Sequence, residues 1–139
     1  MIQMITGKKG KGKTKVLLEM ANNSVKDAKG SVVYLDKSSK HMYELNREVR
    51  LINVFDYEIA SEDAFVGFLY GIISQNHDIE WMYLDSFLKL ADLEGKDITG
   101  AIEKLAAISE KYEINFVLSV SDDKENLAES VQSYIVKAL

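Results

Sequence analysis

The sequence predicts an α/β domain, with a mainly parallel sheet of about five strands flanked by helices. Three observations carry that prediction. Short apolar runs rich in β-branched residues recur along the chain, and several end abruptly at a polar residue, such as Asp36, Asp85 or Ser121. Segments of helical periodicity separate them. A glycine-rich loop joins the first run directly to the first helical segment. Strands apolar on both sides and alternating with helices belong to sheets covered on both faces. Ligands of such sheets gather at the carboxyl ends of the strands.

Residues 2–6, Ile-Gln-Met-Ile-Thr, read as the first strand, and Val16, Leu17, Met20, Ala21 and Val25 then recur at helical spacing. Gly30 breaks that pattern before a second strand over 31–35 that ends at Asp36. A third strand is expected over Leu51 to Phe55. Ser61 with Glu62 and Asp63 is a helix start leading into Ala64 to Ser74. That helix is apolar almost all round, so burial is expected for it, with Gly67 and Gly71 admitting close packing of another element. The run 81–84 closes at Asp85, an amphipathic helix covers about 98–112, and the run 114–120 closes at Ser121. A last helix is expected over 125–137, from Leu127, Val131, Tyr134 and Ile135 on one face. With no strand after 120, the first strand would lie at a sheet edge, and exposed edges are normally covered or paired. Self-association or a protein partner is therefore expected.

The chain has 139 residues, 47% hydrophobic and 28% charged, which is the size and balance of one domain over 1–139. Its net charge of -5 gives no support to general nucleic-acid binding. Positive charge is instead concentrated locally, in Lys8, Lys9, Lys11, Lys13 and Lys15. No cysteine is present, so disulfides and thiolate metal sites are excluded and a cytoplasmic setting is expected. The first strand leaves no room for a signal peptide, and the longest apolar run is too short to cross a bilayer, so no membrane insertion is expected. His41 and His77 read as surface residues, Trp81 as core, and Tyr43 as ordinary packing.

The loop is GKKGKGKT, residues 7–14. Gly7, Gly12, Lys13 and Thr14 satisfy every fixed position of G-x-x-x-x-G-K-[ST]. Glycines allow successive backbone N–H groups to turn inward around phosphates, and the helix N-terminus that follows adds a positive dipole end. The chain thus resembles the P-loop NTPases, and the resemblance implies their three-layer fold. It gives phosphate contacts to Gly7, Lys8, Lys9, Gly10, Lys11, Gly12, Lys13, Thr14 and Lys15, with Lys13 as the catalytic cation and Thr14 on Mg²⁺. The strand ending at Asp85 is similar to the Walker B strand, which implies Asp85 as the second Mg²⁺ anchor.

Within that superfamily the element order is similar to the RecA-like branch, which implies Ser119 or Ser121 near the terminal phosphate. The partition-type, deviant Walker ATPases are a second resemblance, through Lys8 after Gly7 and the strand before Asp36. Lys9 stands where their loop has glycine, and the chain lacks the prolines that follow both of their acids. Neither D-x-x-G after Asp85 nor an N-K-x-D guanine reader is present, so ATP is expected over GTP. The only arginines, Arg47 and Arg50, argue against a small-molecule kinase. Ser86 follows Asp85, so a glutamate next to the metal acid is missing, and Asp36 is the one candidate base. The expectation is a Mg-dependent ATP-binding protein with slow or partner-stimulated hydrolysis. A nucleotide-gated interaction module without significant hydrolysis stays open beside it.

Overall fold

The computed structural model describes all residues, Met1–Leu139. One six-stranded sheet organises the chain, and every strand in it is parallel to its neighbours. Its strands are β1 (Ile2–Thr6), β2 (Ser31–Asp36), β3 (Val49–Asn53), β4 (Ile79–Leu84), β5 (Asn115–Val120) and β6 (Ile135–Ala138). They lie in the order β3-β2-β4-β5-β1-β6. The helices are α1 (Lys13–Asp27), α2 (Glu62–Ser74), α3 (Phe87–Leu90), α4 (Thr99–Tyr112) and α5 (Glu129–Gln132).

Alternation along the strands divides the core into two. Ile5, Val32, Tyr34, Tyr83 and Val117 point to one face, where Leu17, Leu18 and Ala21 of α1 cover them. Met4, Val33, Leu35, Met82, Leu84, Phe116 and Leu118 point to the other, where α2, α3, α4 and α5 supply residues such as Leu69, Phe87, Leu105 and Val131. Helices therefore flank the sheet on both faces. Period two also puts Asp36, Asp85 and Ser119 on the α1 face, in step with Tyr34, Tyr83 and Val117.

Several expectations need correction. The sheet has six strands rather than about five, because residues 135–138 form β6 instead of continuing a helix over 125–137. Only a 3-10 turn at Lys124–Asn126 and the short α5 precede it. Leu127 and Val131 still reach the core, but the outer edge of β1 offers the β-branched pair Ile135-Val136 a ladder of backbone hydrogen bonds. β1 is consequently interior, and the edges are β3 and β6. The third strand starts at Val49, earlier than expected, and gives way at Asn53, whose side chain accepts from the Phe55 N–H and caps a 3-10 turn.

The third correction concerns α2. Ser61 caps it as its sequence requires, accepting from the Ala64 N–H at 3.1 Å, and Phe65, Leu69 and Ile73 form its buried stripe. Gly67 and Gly71 are exposed, and a Cβ added to either would meet nothing within 4 Å. They pack against no other element. The fourth is Trp81, which is only half-buried, stacks on Tyr83 at 6.0 Å and donates its indole N–H to Glu80 at 3.2 Å. His77 is exposed as expected, whereas Tyr43, expected to pack, is 91% exposed and packs against no core; no helix is long and apolar enough to cross a membrane.

Candidate functional site

β1 ends at Thr6 and α1 begins at Lys13, so the loop turns the chain within a few residues above the carboxyl edge of the sheet. Three glycines make the turn, with φ of 149° at Gly7, 81° at Gly10 and 93° at Gly12. Side chains are disfavoured in that left-handed region, which is why the sequence needs glycine there. Gly7 is also pressed from outside, since a Cβ would lie 3.0 Å from the Leu139 carbonyl oxygen. Its N–H donates to the Asp122 carbonyl at 3.1 Å.

Beyond Gly7 the backbone donors change behaviour. The N–H groups of residues 8–15 donate to no acceptor in the chain, and Val16 is the first to do so, to the Gly12 carbonyl at 3.3 Å. A helix alone leaves its first few N–H groups free. Here the loop extends that run of free donors beside a cavity, at the positive end of the α1 dipole.

The lysines of the loop have different fates. Lys13 is 7% exposed, and its ammonium crosses the loop to donate to the Lys8 carbonyl at 2.9 Å. Burial pushes its pKa down, while the Asp85 charge opposes that shift. Lys8 points away, its ammonium 3.6 Å from Asp123. Lys9, Gly10, Gly12, Lys13 and Thr14 line a cavity of about 410 Å³, whereas Lys11 and Lys15 project to solvent outside it.

Asp85 is the hub of the cavity floor. It is 1% exposed, and its carboxylate accepts from three hydroxyls: Thr14 at 3.2 Å, Ser119 at 2.7 Å and Tyr34 at 2.8 Å. The Ser119 oxygen accepts in turn from the Ser86 N–H at 2.7 Å. β5 lies between β1 and β4, so Ser119 sits between the strand that launches the loop and the strand that ends in Asp85. Ser121 also lines the cavity. Thr14 and Asp85 thus present adjacent oxygens beside the run of N–H donors, a hard-oxygen pair of the kind that anchors Mg²⁺ when phosphates fill its other positions.

Asp36 is placed differently. It is 3% exposed, is not part of the cavity wall, and uses one oxygen to accept from the Lys37 N–H at 2.7 Å. Its other oxygen has no partner. Burial raises its pKa, and the Asp85 charge adds to the rise, against the Lys37 N–H and the charges of His41 and Lys37.

Sequence reasoning missed several residues here. Tyr34 was hidden in an apolar run, although it stands two before Asp36 and therefore on the same face. Burial and the Asp85 charge drive its phenol pKa far up, keeping it a donor. Lys37, Lys40, His41, Lys89 and Glu94 also line the cavity and carried no motif. His41 is half-buried there rather than on the surface, with Nδ1 3.4 Å from Glu44 but without hydrogen-bond geometry. Arg47 and Arg50 are exposed and outside this cavity. In comparisons with known proteins, no family model and no curated protein matches this chain.

Proposed function

We propose that the chain binds ATP with Mg²⁺ as a P-loop nucleotide-binding protein of RecA-like type. One observation carries this reading: the unbroken run of N–H donors over residues 8–15, bent by left-handed glycines and ending beside the Thr14–Asp85 oxygen pair. Such a run at a helix N-terminus favours a phosphate chain over a neutral ligand.

In this reading the loop N–H groups bind and orient the phosphates. Lys13 exchanges the Lys8 carbonyl for a phosphate oxygen, bringing a desolvated cation to the terminal phosphates. Thr14 and Asp85 hold the metal, while Tyr34 and Ser119 fix the Asp85 carboxylate. Mg²⁺ there would neutralise phosphate charge and fix the geometry of the terminal phosphoryl group. Asp36 as the catalytic base must first gain access to the cavity, because it is buried outside it. That placement favours slow turnover, and equally a nucleotide-gated module with little hydrolysis. A fast turnover in the isolated chain, abolished by Asp36→Ala, would refute both.

Binding itself is tested by thermal unfolding with and without ATP and Mg²⁺. For 139 residues the unfolding entropy is about 290 cal/mol/K, so ligand at a hundred times its Kd, worth about 2.7 kcal/mol, raises Tm by about 9 °C. Lys13→Ala should abolish most of that rise. No rise in the wild type at millimolar nucleotide would overturn the proposal.

A further inference from the structure

The cavity extends well beyond the loop. Neighbouring strands are about 4.8 Å apart, so in the order β2-β4-β5-β1 the end of β4 lies about 10 Å from that of β1 and the end of β2 about 14 Å. The loop follows β1 and Asp85 follows β4. Lys37 and Lys40 follow β2, and Lys89 follows Asp85 on α3, and all three line the same cavity. A basic wall thus stands on the far side of Asp85 from the loop.

The lysines of that wall form no ion pair, although the Lys37 charge is felt at buried Asp36. They stand in a chain whose net charge is -5. The cavity counts five lysines against two carboxylates, Asp85 and Glu94. Leu88 is its one hydrophobic residue, so an apolar ligand gains little there. Like charges gathered on one concave wall repel one another, and an anion relieves that repulsion.

We propose a second oxyanion subsite on this wall, built by Lys37, Lys40 and Lys89, which holds a phosphate-bearing ligand facing the terminal phosphate of the loop-bound nucleotide. The inference rests on the nucleotide reading for the identity of the first ligand, and its position makes the second ligand a reaction partner or an effector of the first. Lysines rather than arginines supply the charge, which is why an arginine count gives no sign of it. The same wall could receive the far end of one long polyphosphate instead, so the test separates the two sources.

The protein is first saturated with a non-hydrolysable ATP analogue and Mg²⁺, and inorganic phosphate is then titrated at constant ionic strength while Tm is followed. A further, saturable rise is expected. Lys40→Ala, at an exposed position, with Lys89→Ala, at a half-buried one, should weaken that phosphate response about tenfold or more while leaving the nucleotide response in place. No further rise in the wild type, or one that the double variant keeps unchanged, overturns the subsite. Inorganic tetraphosphate that competes with the analogue, and whose affinity alone falls in the double variant while free phosphate has no effect, replaces the second ligand by a longer first one. Should the nucleotide itself fail to bind, phosphate is titrated against the wild type and Lys13→Ala. A response that survives Lys13→Ala and disappears in the double variant sustains the subsite, and any other pattern removes it.

Discussion

Tyr34→Phe isolates one hydroxyl at the centre of the site. The ring is fully buried, and its stacking on Tyr83 at 6.0 Å survives the change, so only the hydrogen bond to Asp85 at 2.8 Å is removed. A hydrogen bond to a charged group contributes about 1.5–3 kcal/mol. No water can readily replace the donor inside a close-packed core, so the value should lie within that range rather than near zero. Dividing by an unfolding entropy of about 290 cal/mol/K gives a fall in Tm of about 5–10 °C. Circular dichroism at neutral pH reads it directly, and the denaturant midpoint provides a second estimate. If the proposed reading holds, Mg²⁺-dependent ATP binding should weaken as well, because Asp85 keeps Thr14 and Ser119 but loses the donor that fixes its other oxygen. A change below about 1 °C, with unchanged nucleotide binding, would refute the view that Tyr34 holds this carboxylate.

Asp36→Asn should be more stable than the wild type at neutral pH. The folded pKa of Asp36 is raised above its unfolded value, so the wild type loses stability as pH climbs through the window above about 4, and the gain in Asn should shrink on acidification toward it. Equal Tm differences at pH 4 and pH 7 would contradict that sign. Gly67→Ala and Gly71→Ala should each stabilise by about 0.5–1 kcal/mol, or about 2–3 °C in Tm, since both glycines are mid-helix with open space around a Cβ. Gly30→Ala should do the reverse, because its Cβ would overlap the Asp78 carbonyl oxygen that accepts the Ser31 N–H. A loss of about 1–3 kcal/mol in urea unfolding is expected, and a neutral result would mean the β2–β4 start can shift freely.

What the sequence made legible was what local chemistry dictates. The glycine spacing of residues 7–14 demanded a turn into a helix, Ser61 demanded a helix start, and the apolar runs before Asp36, Asp85 and Ser121 demanded buried strands. Long-range choices were less visible. Residues 125–137 carry helical periodicity, yet the vacant edge of β1 decided in favour of β6, and no local pattern records which strand will need a neighbour. The exposure of Gly67 and Gly71 followed from the side of the sheet that α2 covers, which its nearly uniform apolar composition did not reveal. The Asp85 hub was half visible. Its acid was marked by position, but the Tyr34 and Ser119 hydroxyls come from strands on either side of β4 and meet only through strand order.

The contact between Gly7 and Leu139 ties residue 139 to the glycine loop. The Leu139 N–H donates to the Thr6 carbonyl at 2.8 Å, so polypeptide joined after Leu139 leaves the fold at the lip of the glycine loop. Met1 lies at the opposite end of β1, about 17 Å along the strand, where its amino group donates to Ser109. An affinity tag or fluorophore on the carboxyl side would stand beside the candidate site and report on its occupancy. One on the amino side would leave that mouth unobstructed, though at the loss of the Ser109 contact.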